Sequence, residues 1–525
     1  MITIPLETAS TLFIAGFIGL LILAWYQCVV PSLDPHEPPL APYTIPYLSH
    51  VLGLYKRSFN YYVDLNEKAP LSISTLHIPG QKVYVVNSPQ LIQTVQKQPK
   101  VLSLRPIEAK ISGAVCGLSQ KARDLMMKNV KGTDDNWGIS ADMYPLFEEL
   151  LKPGEGLDAL NNVMIRVVGD ALDSLAESMT AKSEKKTMSL NAWCREVISE
   201  ATTDSLYGPA NPFREPRIQE AFWEFEKHFM FILLGFMRSL FARKGLAARD
   251  KVAQSFYDYF KPEGHKRGSS LPQQHFDLYT RHDTDVIDIA RLEVGMGIAF
   301  LDNTAPATFW LLTFLYSNPE FLEEVRKELD CVVQISTDSE GQVMRNLDIT
   351  TVSTNCPHLT SAFQETLRLV SMGTASRMKD AMVQMPSRVV HVSTDIWGSD
   401  AADFNPYRFF KGSVSKNPSG KRPPGIAFRA FGGGATSCPG RHFATNEVLA
   451  LVSMFVSRFE IEPTKGIWKI PRTDNTRVQT VIMEPDDDIE VSIFARGNLE
   501  VVKWKFGLQD STSFLAMANE DKLSP

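Results

Sequence analysis

Apolar side chains fall into three patterns along this chain. From Leu12 to Val30 they run without one charged residue, LFIAGFIGLLILAWYQCVV, long enough to cross a bilayer as a single helix. Trp25 and Tyr26 near its end suit the membrane interface, and the basic leader and small-residue cleavage site of a removed signal peptide are missing. Between 140 and 330 the apolar positions recur at three- and four-residue steps, as in EAFWEFEKHFMFILLGFMRSLF and PEFLEEVRKEL, the period of helices that bury one face. Phe222, Trp223, Phe225, Phe229 and Phe231 form such a stripe, read as core or membrane-facing helix. Shorter runs, LHIPGQKVYVVN, SRVVHVST, DIEVSIFA and LEVVKW, read as strands. The pattern predicts a mainly α chain with a minor β region: a membrane anchor over 1–30, a hinge over 31–46 and one large body over 47–525. In the hinge, Pro31, Pro35, Pro38, Pro39, Pro42 and Pro46 restrict the backbone to extended conformations.

Composition narrows the function more than the fold. The chain has 525 residues, 44% of them hydrophobic, enough for a large core, and no Gly/Ser linker or repeat divides it. A net charge of −6 argues against a nucleic-acid partner and toward small molecules. Cys28, Cys116, Cys194, Cys331, Cys356 and Cys438 are scattered, without the spacing of a zinc site or the density of a disulfide scaffold. That usage suits a reducing compartment, with most thiols inert.

Cys438 differs from the rest by its setting, FGGGATSCPGRHFA from Phe431 to Ala444. Three glycines allow backbone to approach a flat ligand and to adopt positive φ. Pro439 and Gly440 then turn the chain into a helix expected from Arg441 through Phe459. A thiolate needs compensating positive charge, which N–H groups at a helix start and a ferric iron would supply. This segment resembles the haem-binding loop of the cytochrome P450 family, whose Phe, Gly, Cys and Gly stand here as Phe431, Gly434, Cys438 and Gly440. The resemblance implies the P450 fold, haem b as cofactor and Cys438 as axial ligand of its iron. One position departs: the basic residue usual two places before the cysteine, which contacts a haem propionate, is Thr436. The steroid 7α-hydroxylase and prostacyclin synthase branch carries similar substitutions.

Two further stretches extend the resemblance. In SAFQETLRLV, Glu365 and Arg368 share one helical face, and with Arg408 of FNPYRFF they match the family's buried Glu–Arg–Arg cluster. Glu323 and Arg326 show the same spacing and read as a solvated pair. Arg377 resembles the family's propionate-binding arginine. The apolar run GMGIAFLDNTAPATFWLL, Gly295 to Leu312, carries Asp302, Asn303 and Thr304 in succession, and polar groups in such a run point to a cavity. In the family an acid and an alcohol here manage protons for dioxygen cleavage; Asp302 takes the acid position, Asn303 the usual alcohol position, and Thr304 follows. An amide can hold water or dioxygen but relays protons poorly. Pro306 removes a helical hydrogen bond and is expected to open the helix.

Two departures remain. The family's helical tryptophan and arginine toward a propionate are absent from KARDLMMKNVKG, where Lys121, Arg123 or Lys128 could substitute. The segment from Glu365 to His391 spans 26 positions, short for the family, as if a sheet hairpin had been excised after Met382. It reads either as a compact variant or as a truncation that leaves a catalytically impaired haem binder.

The resemblance implies a monooxygenase on the endoplasmic reticulum membrane, single-pass, with its body in the cytosol. Electrons would come from NADPH through a cytochrome P450 reductase, attracted by the basic loop with Lys411, Lys416, Lys421 and Arg422. The expected substrate is large and apolar, a sterol, terpenoid or related secondary metabolite, in a pocket including Met296, Phe300, Leu301, Met372, Thr374 and Ala375. A reductase-independent isomerase or dehydratase is the competing activity, favoured by Asn303.

Overall fold

A computed structural model describes residues 16, 19, 34–78, 80–130, 138–180, 186–235, 241–337, 339, 341–379, 381–410, 423–474, 480–496 and 502–509. The expected anchor lies outside these residues save Gly16 and Gly19, both helical, and the basic loop at 411–422 lies outside them entirely. The strands are β1 (Ile73–Ile78), β2 (Gln81–Val86), β3 (Lys186–Ser189), β4 (Gln334–Thr337), β5 (Val343–Asp348), β6 (Thr374–Met378), β7 (Met382–Pro386), β8 (Phe459–Pro463), β9 (Thr473–Asp474), β10 (Glu484–Pro485), β11 (Glu490–Ala495) and β12 (Val502–Gly507). Helices form the rest of the regular structure and the strands make small peripheral sheets, as the period of the apolar positions requires.

The largest sheet has the order β1-β2-β7-β6. β2 pairs parallel with β7, and β6 antiparallel with β7 from Thr374 opposite Pro386 to Met378 opposite Met382. Both strands of the short segment after Glu365 are therefore paired in register, and the sheet closes across the join. The hinge packs onto the same sheet: Thr75 donates to the Pro39 carbonyl at 2.8 Å, Ala41 to that of Thr75 at 3.0 Å, and Ala41 is 2% exposed. Contact with the body thus starts before Tyr43.

SRVVHVST is not a strand. Ser387–His391 is a short helix, because Pro386 ends β7 and the buried His391 carbonyl accepts from Arg368. Arg326 also departs from expectation: it is 7% exposed and pairs with Glu460 at 2.7 Å instead of with Glu323 in solvent. Of the aromatic stripe, Phe222 and Phe225 are fully buried, Phe229 is buried and Trp223 half-buried, while Phe231 is exposed.

Two helices order the centre. The apolar stretch Val286–Tyr316 is long and apolar enough for a membrane span, but 78% of its most apolar window lies inside the fold, so it is core. It consists of helices Val286–Leu301 and Thr304–Tyr316, interrupted at Asp302 and Asn303. Thr304–Tyr316 packs against helix Arg441–Arg458, which is buried from His442 onward almost without a break, as expected of a helix covered on every side.

Glu447 of that helix is wholly buried, accepts from Thr202 Oγ1 at 2.6 Å, and burial pushes its carboxyl up to about 8. The folded chain thus keeps a proton that the unfolded chain releases near its ordinary value. The resulting stability is full below that value and is lost as pH rises toward 8. Thermal unfolding of Glu447→Gln is expected to lack this component, which in the parent falls by up to about 1.4 kcal/mol per pH unit between pH 5 and 8. Equal pH dependence in the two proteins would refute the assignment.

Candidate active site

The loop before helix Arg441–Arg458 is closed by its own backbone. Cys438 N–H donates to the Phe431 carbonyl at 2.9 Å and Ser437 N–H to that of Gly434 at 3.1 Å. Gly432 and Gly434 hold φ of 78° and 65°, conformations in which a side chain would be strained. Half-buried Phe431 packs on the core. Tyr144 Oη, from helix Ile139–Leu150, donates to the Ser437 carbonyl and fixes the loop from a second element.

The Cys438 thiol is accessible to solvent, yet protein surrounds it closely enough that burial raises its pKa, opposed by the Gly440 N–H and the Arg441 guanidinium. These observations agree if the thiol opens into an internal chamber. A helix start and a nearby cation are what a thiolate ligand requires.

The three charged side chains of the expected cluster meet. Glu365 receives Arg368 Nε at 2.7 Å and Nη2 at 2.8 Å, Arg408 Nε at 3.0 and 3.1 Å, and the Asn405 N–H at 3.0 Å. Arg368 also caps the Ala401 carbonyl and Arg408 that of Trp397, both at 2.8 Å. All three are buried, so the cluster stitches helix Pro357–Val370 to the segment leading to the loop.

Arg377, on β6, is 3% exposed and donates to Thr436 Oγ1 and to the Ser376 carbonyl; the hydroxyl in place of the family's basic residue thus serves as its acceptor. Glu108 lies close enough to stabilise its charge. Arg429 was missed by the sequence reading. It is 1% exposed, none of its three guanidinium nitrogens has a hydrogen-bond partner among the described residues, and burial followed by repulsion from Arg377 lowers its pKa to about 10. A buried unpaired cation is costly, so the Arg377–Arg429 pair calls for an anion. Its only sequence signal was one arginine inside the apolar run IAFRAF. By contrast Lys121, Arg123 and Lys128 are exposed. Lys121 pairs with Asp283 and Asp285 and Arg123 Nε donates to Leu118. The helix at the cysteine loop is Ile139–Leu150, which has no basic residue.

At the break between the two central helices, Asp302 is wholly buried and Thr304 nearly so, its hydroxyl directed to the Phe300 carbonyl at 3.4 Å. Asn303 is half-buried and its oxygen accepts from Val481 N–H at 2.7 Å and Ile482 N–H at 3.1 Å. Of the expected pocket residues, Met296, Phe300, Thr374 and Ala375 keep accessible surface, whereas Leu301 and Met372 are 0% exposed. Ala299, absent from the expected set, is exposed within this mostly buried stretch.

The sequence profile of the cytochrome P450 family matches residues 38–490. The chain belongs to the cytochrome P450 family. It is an oxidoreductase of the P450 monooxygenase class. Cytochrome P450 monooxygenase nodJ of Hypoxylon pulicicidum is 31% identical, over 92% of this chain and 94% of its own. A cytochrome P450 monooxygenase of Gibberella zeae is 26% identical, over 91% and 92%. The 25-hydroxycholesterol 7-alpha-hydroxylase of Rattus norvegicus is 25% identical, over 76% and 96%. The family implies a haem-thiolate cofactor, and the chain's groups fit one: an accessible thiol at a helix start, glycines in the left-handed region, and two buried arginines lacking a full complement of anions.

Proposed function

We propose that this P450 is a membrane-anchored monooxygenase of the endoplasmic reticulum, with its body in the cytosol. It inserts one oxygen atom of O2 into a large apolar substrate, with electrons from NADPH through a cytochrome P450 reductase. The observation that carries this reading is Cys438, accessible within a closely packed loop and facing the Gly440 N–H. Cys438 would hold the haem iron, Phe431, Gly434 and Gly440 would shape the loop around it, and Arg377 and Arg429 would hold carboxylates of the cofactor. When bound, the haem supplies the electron transfer that activates dioxygen, favoured by a thiolate ligand.

The chain's own groups supply protons and orientation. The overall balance, substrate C–H with O2, NADPH and H+ giving substrate C–OH, water and NADP+, consumes protons at the chamber. Asp302 holds one at its carboxyl and Thr304 Oγ1 passes it on. Met296, Phe300, Ala299 and Ala375 offer an apolar surface that orients a hydrocarbon and excludes water. The printed names of the relatives, a sterol hydroxylase among them, support a sterol, terpenoid or related secondary metabolite. The run 12–30 supports the anchor and the basic loop at 411–422 supports reductase docking.

The test is turnover of candidate apolar substrates under 18O2. Product carrying one labelled oxygen, formed only with NADPH and reductase, is expected. Turnover of a peroxide substrate without reductase and without label would establish the isomerase or dehydratase instead.

A further inference from the structure

The four residues Thr480–Met483 form a strap held from two sides. Met372 N–H donates to the Val481 carbonyl at 2.8 Å, Met483 N–H to the Val370 carbonyl at 2.9 Å, and Trp310 Nε1 to the Met483 carbonyl at 2.7 Å. Gly373 lies so close that a β-carbon there would meet Val481 Cγ1 at 2.8 Å. Thr480, Ile482 and Met483 are buried and Val481 alone keeps surface. Neither Val481 nor Ile482 N–H belongs to a strand ladder, and one side-chain atom, Asn303 Oδ1, accepts both. Asn303 stands at the break between the two central helices, beside Asp302 and Thr304, so it joins the proton-handling region to the strap.

We propose that Asn303 is a positioning residue whose amide oxygen fixes the Val481 wall of the substrate chamber, which leaves proton handling to Asp302 and Thr304. An oxygen that already accepts two N–H groups has used both lone pairs. It is therefore spent as an acceptor for water or for a protonated dioxygen species. The residue that the sequence offered as a sign of isomerase chemistry thus acts on chamber shape, and substrate choice depends on it through Val481. This inference rests on the proposed haem-thiolate function only for the meaning of the chamber; the tether can be measured without turnover.

The experiment is hydrogen–deuterium exchange of the holoenzyme at single-residue resolution, for the parent, Asn303→Thr and Asn303→Asp. Threonine restores the family's hydroxyl but cannot accept both N–H groups across the same gap, whereas a carboxylate can. In Asn303→Thr the Val481 and Ile482 amides should exchange at least about tenfold faster, while the Met483 amide, held by Val370, stays protected. Asn303→Asp should keep all three slow. Titration with 4-phenylimidazole should show about tenfold weaker binding to Asn303→Thr than to the parent, with the smaller imidazole unchanged. Unchanged exchange in Asn303→Thr, or equal loss of protection at Met483, would overturn the proposal. Failure of imidazole to shift the parent's spectrum would instead count against the haem site and leave the exchange result to judge the tether.

Discussion

Glu365→Ala is expected to yield no stably folded protein. The substitution leaves Arg368 and Arg408 buried and without their common carboxylate. Removing one partner from a buried ionic cluster costs about 3–5 kcal/mol, a large share of a total stability of about 5–15 kcal/mol. Arg408 would keep the Asp400 carboxylate at 3.0 Å, but Arg368 would be left with backbone carbonyls such as that of Ala401, which carry no full charge to offset its guanidinium. Glu365→Gln should fail as well, since it keeps the shape and removes the charge. Thermal unfolding and soluble yield measure this, and a parent-like melting temperature for either variant would contradict it.

Cys438→Ala should do the reverse, sparing the scaffold and ending the chemistry. Cys438 is exposed, and the loop is closed without its thiol by the Cys438 N–H, the Ser437 N–H and Tyr144 Oη. Far-UV circular dichroism is therefore expected to match the parent, with a direct effect on chain stability within about 0.5 kcal/mol. Reductase-driven incorporation of labelled oxygen should fall to background. Loss of helical content, or retained incorporation, would contradict the assigned division between scaffold and chemistry. The two substitutions together separate what holds the loop from what the loop presents.

The contrast also explains what was legible in the sequence. The cysteine loop could be read because its determinants are contiguous: glycines, Cys438 and the helix start occupy fourteen neighbouring residues. The helical class followed from periodicity, and the break at Asp302 and Asn303 from Pro306 and the polar triplet. Features set by tertiary placement were hidden. Ser387–His391 has a β-branched run but turns helical after Pro386, with its terminal carbonyl bonded to a buried arginine from another helix. Arg326 has Glu323 at helical spacing, yet Glu460, distant in sequence, draws it inside. Arg429 and Tyr144 matter only because folding brings them to Arg377 and Ser437. Asn303 was seen as a chemical group in a cavity, while its oxygen is occupied by a strap nearly two hundred residues on. The short segment after Met382 looked like an excision; pairing of β7 with both β2 and β6 shows how the sheet closes across it.

Everything functional here depends on Cys438 ligating haem iron. The most direct measurement is the absorption spectrum of the reduced, carbon-monoxide-bound full-length protein, recorded beside Cys438→Ser. The account predicts the red-shifted Soret band of thiolate ligation in the parent and its loss in the variant. An unshifted band in the parent, or a shifted band that persists in Cys438→Ser, would contradict it.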